Sequence, residues 1–197
     1  MSLTEYVMER PGAGVAADLA RLLFREEPVA TYAVLDGASV PGLRQRLFKD
    51  SPESCCLYRG ELAPDLAEVA PYLVRLRIGH PFTKWVLSEG WAGHWGIFVQ
   101  SRADLRALRR HFRTFLMVKT PEGKRLYFRF YDPRVLRLFL PTCDAGQLRT
   151  LFGPIDAYLC EADDPDHALH WCLDAGTLKK QVLPLAPPGR DPLPSRP

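Results

Sequence analysis

The sequence predicts a single α+β domain, a mixed sheet of six or seven strands with a central hairpin and helices packed on it. Three observations carry this. Short β-rich runs such as TYAVL (31–35), PYLVRL (71–76) and WGIFVQ (95–100) are interleaved with helical stretches, without the regular strand–helix–strand repeat of a parallel fold. Residues 114–140, TFLMVKTPEGKRLYFRFYDPRVLRLFL, read as strand, tight turn, strand and helix in immediate succession. Finally, 197 residues with 47% apolar side chains can build one core, and no apolar run reaches the roughly eighteen residues of a membrane helix.

Taken in order, residues 14–27 fit a helix with Val15, Leu19, Leu22 and Leu23 on one face and Pro28 as breaker. The strand at 31–35 ends in Asp36-Gly37, and a helix over 38–48 follows Pro41 with Leu43 and Leu47 inward. SCCLY (54–58) is a short strand closed by Arg59-Gly60, and 65–68 is a brief turn. Pro71 would break a helical run from Leu66, so 71–76 is a strand. His80-Pro81 opens a helix over 82–88, and Gly90-Trp91-Ala92-Gly93 is a flexible aromatic loop. Ser101 is placed to cap a helix running to about Phe112, with Asp104 in its first turn and Leu105, Leu108 and Phe112 as its stripe.

The hairpin begins at 114–120 and turns through Pro121-Glu122-Gly123-Lys124. In the return strand, 125–131, the two-residue period sends Leu126, Phe128 and Phe130 one way and Arg125, Tyr127, Arg129 and Tyr131 the other. Asp132 caps the next helix, with Pro133 at its first position. Pro141 ends that helix, and Asp144 with Gln147 has the spacing of a capping box for 148–152. IDAYLC (155–160) is a further strand, 168–174 suits an extra strand or a helical turn, and 178–183 suits a short helix. Six of the last fourteen residues are proline, so the end of the chain reads as an extended, disordered tail. The organisation expected is a helix and lead-in at 1–30, the main domain at 31–161, a short extension at 162–183 and the tail at 184–197.

The net charge of +3 hides a strong local bias: residues 102–137 carry 11 basic and 3 acidic side chains. Such a segment suits phosphate or an acidic protein surface. A solvated helix face beside an arginine-edged strand accounts for it equally well. Nucleic-acid binding is the generic rival, because Tyr127, Phe128 and Phe130 alternate with Arg125 and Arg129 beside an arginine-rich helix. Against it, Phe128 and Phe130 share a face with Leu126 and suit a core, and no RNP-type or helix-turn-helix signature occurs.

Catalytic chemistry finds no footing. Five cysteines in irregular spacing read as free thiols. Cys160, His167, His170 and Cys172 fall close together but lack the paired spacing of a closed zinc site. There is no G-x-S-x-G and no phosphate-cradling loop, Cys55-Cys56 lies within a strand, and His80, His94 and His111 sit on separate elements. A non-enzymatic protein without metal or cofactor is expected. The start, MSLTEYVMERPG, has Glu5 and Glu9 where a secretory signal would be basic, which predicts a cytoplasmic protein. Of the clustered tryptophans, Trp85 and Trp95 suit the core, while Trp91 in its glycine-flanked loop suits an exposed anchor for a partner.

Six segments occur in an order that carries a resemblance: YAVLDGA (32–38), LYRGELAP (57–64), PYLVRL (71–76), WGIFVQS (95–101), HFRTFLMVKTPEGKRLYFRFYDPRVL (111–136) and FGPIDAYL (152–159). Together they resemble the type VI secretion effector chaperone or adaptor family (Tap/TEC type), long catalogued as a domain of unknown function. FRFYDPRVL is the most specific piece, and the likeness covers about 31–161. It implies a cytoplasmic, non-enzymatic protein of a Gram-negative bacterium. Such a protein binds a cognate toxin effector, for example through an N-terminal segment, and helps load it onto the VgrG spike. Many relatives carry a sizeable C-terminal lobe, whereas about 35 residues follow here. The contacts expected are Arg125, Tyr127, Arg129 and Tyr131, with Trp91 as an anchor, since interfaces favour arginine and aromatic residues. The competing reading is that Arg129 or Arg134 pairs with Asp132 or another carboxylate and braces the fold.

Overall fold

A seven-stranded sheet organises the computed structural model, which describes residues 14–24, 29–119 and 123–185. In chain order its strands are β1 (Ala30–Asp36), β2 (Ser54–Cys56), β3 (Pro71–Leu76) and β4 (Gly96–Ser101), then β7 (Ile155–Glu161), β8 (His167–Asp174) and β9 (Thr177–Pro184). The order across the sheet is β2-β3-β1-β4-β7-β8-β9, every neighbouring pair antiparallel. The class is α+β, as expected. The strand pairing differs from a mixed sheet, and the hairpin expected at its centre, β5 (Met117–Lys119) with β6 (Arg125–Tyr127), is a separate two-stranded ribbon.

The central strands are buried on both faces, which divides the core in two. On β1, Tyr32 and Val34 enter one cluster, while Ala33 and Leu35 enter the other. Helices α1 (Gly14–Leu23), α2 (Leu43–Asp50) and α4 (Pro81–Glu89) cover the second face with Leu19, Leu23, Leu43, Phe82 and Val86. Helices α5 (Leu105–Phe115), α6 (Pro133–Phe139) and α7 (Ala145–Phe152) cover the first with Leu108, Phe112, Leu136, Leu148 and Phe152. Short α3 (Pro64–Glu68) joins β2 to β3. Among the described residues no helix is long and apolar enough to cross a membrane.

Three local expectations are corrected. Ser101 is not the cap of α5; its hydroxyl accepts from the Ala103 N–H (3.0 Å) and donates to the Pro154 carbonyl (2.6 Å), while Asp104 caps by accepting from Ala107 N–H at 2.7 Å. The segment 114–116 is not strand. Leu108, Phe112 and Phe115 are all buried, so the apolar stripe carries α5 to Phe115 and leaves three residues for β5. Residues 177–184 are a strand rather than a helix. Ala175 and Gly176 take positive φ (48° and 80°), the conformation of a two-residue hairpin turn, and Asp174 faces Thr177 across it. The extra strand at 168–174 is thereby realised, and β8 and β9 extend the same sheet. The capping box forms as expected, with Asp144 accepting from Gln147 N–H (2.8 Å) and the Gln147 side chain from Asp144 N–H (2.9 Å). The turn at 120–122, the proposed helix end at 25–27 and the proline-rich stretch after 185 lie outside the described residues.

Candidate protein-binding groove

The ribbon is anchored at its base. Phe128 N–H donates to the Leu116 carbonyl (2.9 Å), continuing the β5–β6 pairing into the body of the domain. Phe130, 1% exposed, stacks on Phe112 with ring centroids 5.1 Å apart and meets Phe115 edge-on at 4.9 Å. Phe128 packs edge-on against Phe139 of α6 at 4.7 Å. Beyond these rings the ribbon projects into solvent: Met117, Val118, Leu126 and Tyr127 are 40–50% exposed. Four apolar or aromatic side chains this open on one short hairpin are what a docking surface offers.

Between this ribbon and the end of β2 lies a cavity of about 360 Å³. Arg59, Arg113 and Arg125 supply its cations and Tyr58 and Tyr127 its rings, which lie 4.7 Å apart and tilted by 36°. Leu116, Met117 and Val118 also line it, and none of the described lining residues is acidic. Arg113 is fixed by the backbone of the edge strand and the turn after it. Its Nε donates to Leu57 O (2.8 Å), and its Nη2 to Cys56 O (3.2 Å) and Tyr58 O. Arg109, one helical turn earlier, donates to Cys56 O at 3.2 Å. The two arginines of α5 thus satisfy carbonyls at an open sheet edge, where solvent or another strand would otherwise pair. Partial burial, then the like charges of Arg109 and Arg59, lower the proton affinity of Arg113. Among the described residues Arg59, Arg109, Arg113 and Arg125 form no ion pair, so the cluster's charge is uncompensated.

The structure brings two of the five expected contact residues into this groove, Arg125 and Tyr127. Arg129 faces elsewhere. It pairs with Asp36, a carboxylate 1% exposed that also accepts from Ala38 N–H (3.1 Å) and the Ser39 hydroxyl (3.0 Å), and it lies 3.9 Å from Asp132. Tyr131, expected outward, is 2% exposed and hydrogen-bonded to Tyr58, and burial raises its phenol well above the ordinary value. Leu126, expected inward, is 42% exposed. The alternation fails because β6 ends at Tyr127. From there the chain bends through Asp132 N–H to Arg129 O (3.0 Å) straight into α6, so that Phe130, Tyr131 and Asp132 are all buried in succession. Phe130 is buried in the core and Phe128 is partly buried against Phe139, so neither ring is freely presented for a base to stack on.

Trp91 is not a free anchor in this structure. Its Nε1 donates to Pro165 O (2.8 Å) and its ring lies nearly parallel to Phe98 at 6.4 Å. It packs with the cluster on the face of the sheet opposite to the groove's. Tyr58, Arg59 and Arg113 line the groove although nothing in the sequence marked them as contact residues. The i, i+4 spacing of Arg109 and Arg113 does place both on one helix face, a signal available without the structure. Among the described residues no three His, Cys, Asp or Glu side chains are arranged to hold a metal. Cys160 is buried in β7, and His167 is 2.9 Å from Asp164.

The brace beneath the ribbon has a pH signature. Burial works against the Asp132 carboxylate, but hydrogen bonds from the Arg134 side chain (2.9 and 2.8 Å) and N–H (3.0 Å), then the charges of Arg134 and Arg129, hold it below the usual carboxylate range. A carboxyl whose pKa is lower folded than unfolded contributes its stability above the unfolded value, about 3.9, and loses it as pH falls through the folded one. Asp132→Asn is therefore expected to lower stability at pH 7 and to flatten the decline below about pH 4. Urea midpoints between pH 3 and 7 measure this; an unchanged acid limb would contradict it.

These features describe an α+β domain with a basic, tyrosine-lined groove beside a braced ribbon. Over residues 31–150, well over half of its length, the chain matches the model of a family described as a domain of unknown function (DUF4123), and it belongs to that family. No curated protein and no solved structure matches the chain.

Proposed function

We propose that this protein is a non-catalytic adaptor that holds a cognate toxin effector of a type VI secretion system in the cytoplasm and helps load it onto the VgrG spike. Family membership supports the reading, as does the resemblance of FRFYDPRVL and its companion segments to the effector-adaptor type. The observation that carries it is the groove: three arginines without carboxylate partners among the described residues, and two tyrosines, beside a ribbon with four half-exposed apolar or aromatic side chains. Arginine and tyrosine anchors around apolar surface are the chemistry of protein interfaces.

Co-expression tests it. With the effector encoded beside its own gene, the protein is expected to co-elute and to raise the effector's soluble yield, and a VgrG fragment added to the pair should be retained. An effector that neither co-elutes nor gains solubility ends this reading.

A further inference from the structure

The groove's chemistry says more about what enters it. We propose that it binds an acidic polypeptide segment that also carries apolar or aromatic side chains, contributed by the partner protein. This deepens the adaptor reading and rests on it.

Charge complementarity selects the acidic part. Arg59, Arg113 and Arg125 line one cavity, with Arg109 behind them, and none of the described lining residues is acidic. Like charges held this close repel, and a carboxylate placed among them relieves that repulsion. Arg113 is already immobilised on three backbone carbonyls, so it is a preorganised cation and loses no side-chain entropy on binding. Arg59 and Arg125 are exposed at the rim and free to close on an arriving carboxylate.

The apolar part follows from Met117 (42% exposed), Val118 (40%) and Tyr127 (50%), which surround those cations. A purely anionic ligand would leave that surface wet. The volume, about 360 Å³, is at the small end of ligand cavities and admits two or three side chains of a peptide, not a folded face. The same features favour peptide over nucleic acid. A phosphate backbone needs a track of cations with exposed rings on which bases stack. Here the cations line one cavity instead of forming a track, Tyr58 and Tyr127 lie tilted against each other, Phe130 is buried and Phe128 is partly buried against Phe139.

Fluorescence anisotropy with the full chain and synthetic dodecapeptides tests this. The first probe alternates Asp and Glu with Leu and Phe; the second replaces every acid with Gln, and the third with Lys. The acidic peptide is expected to bind, with affinity falling about tenfold in Arg59→Glu and in Arg125→Glu and falling again with added salt. Tyr127→Ala should weaken it too. All three residues are exposed, so unchanged thermal melting checks that the variants fold. Equal binding of the acidic and Gln peptides, or indifference to both charge reversals, overturns the proposal. So does a single-stranded oligonucleotide that binds more tightly than the acidic peptide and is lost in the same variants, since the groove would then be a nucleic-acid surface. The adaptor reading is judged apart from this. An effector that co-elutes equally with wild type and with the Arg59→Glu/Arg125→Glu double variant sinks the groove and leaves the adaptor standing. An effector that fails to co-elute with wild type sinks the adaptor itself.

Discussion

Phe130→Ala is expected to lose about 4 kcal/mol of stability, the usual range for emptying a buried aromatic site being about 3–5. The ring is 1% exposed and touches four others: Phe112 at 5.1 Å, Phe115 at 4.9 Å, Phe128 at 6.1 Å and Tyr131 at 5.4 Å. Two of these partners belong to α5 and two to the segment leading from the ribbon into α6, so the ring is the rivet between them. A cavity there cannot collapse easily, because α5 is held from its other side by Arg109 and Arg113 on the end of β2. The midpoint of thermal unfolding should fall by roughly 10 °C for a chain of this size. Phe48→Ala is the matched control: that ring is 88% exposed and its removal should change stability by less than about 0.5 kcal/mol. Equal melting shifts for the two variants would mean that the aromatic cluster does not anchor the ribbon.

Much of the sheet was legible because its strands have local signatures that tertiary contacts reinforce. TYAVL, PYLVRL, WGIFVQ and IDAYLC each contain a run that packs on both faces, and all four became central strands. The Asp132-Pro133 and Asp144-Gln147 starts were legible for the same reason, since a cap is chemistry between residues two or three apart. What misled was any segment whose periodicity suits two states. Residues 114–116, Thr-Phe-Leu, suit a strand, yet Phe115 stands three residues after Phe112 and completes a helical stripe. Leu178, Val182 and Leu183 have helical spacing, yet pairing with β8 across a positive-φ turn wins. The site was harder to read than the fold. Arg125 and Tyr127 were found because they alternate on one strand, but Tyr58 and Arg59 lie more than sixty residues earlier and Arg113 sits on the preceding helix, and only the closed fold brings them together. Arg129 and Tyr131 looked like the same face as Arg125 because alternation assumes a strand that continues. Nothing local announces that β6 stops at Tyr127.

Arg129→Ala should then destabilise the protein by about 2 kcal/mol, while Arg125→Ala leaves stability within about 0.5 kcal/mol. Both are arginines of the same segment, two alternations apart, and both are exposed in part. The difference is the partner. Asp36 is buried, and Arg129 is the cation that reaches its Oδ2. Burial works against the Arg129 charge, but its hydrogen bond and charge interaction with Asp36 more than offset this and raise its proton affinity. Removing it strands a carboxylate in the interior, which costs about 3–5 kcal/mol when a pair is fully buried. The 44% exposure of the Arg129 side chain lets water replace part of the contact, and Asp36 keeps its bonds from Ala38 and Ser39, so the smaller figure is expected. A double-mutant cycle with Asp36→Asn isolates the pair: a coupling energy near zero would mean that the ion pair does not brace the fold. The pair joins the two segments that carry the family resemblance, LDGA at the end of β1 and FRFYDPRVL at the base of the ribbon. Most of the second segment is therefore spent inward, on Phe128, Phe130, Tyr131 and Asp132, and it holds the ribbon in place. On the proposed function, recognition falls to the groove where Arg125 and Tyr127 meet Arg59 and Arg113. Effector capture should accordingly follow the Arg125 variants at constant melting temperature, and the Arg129 variants only as far as they unfold the protein.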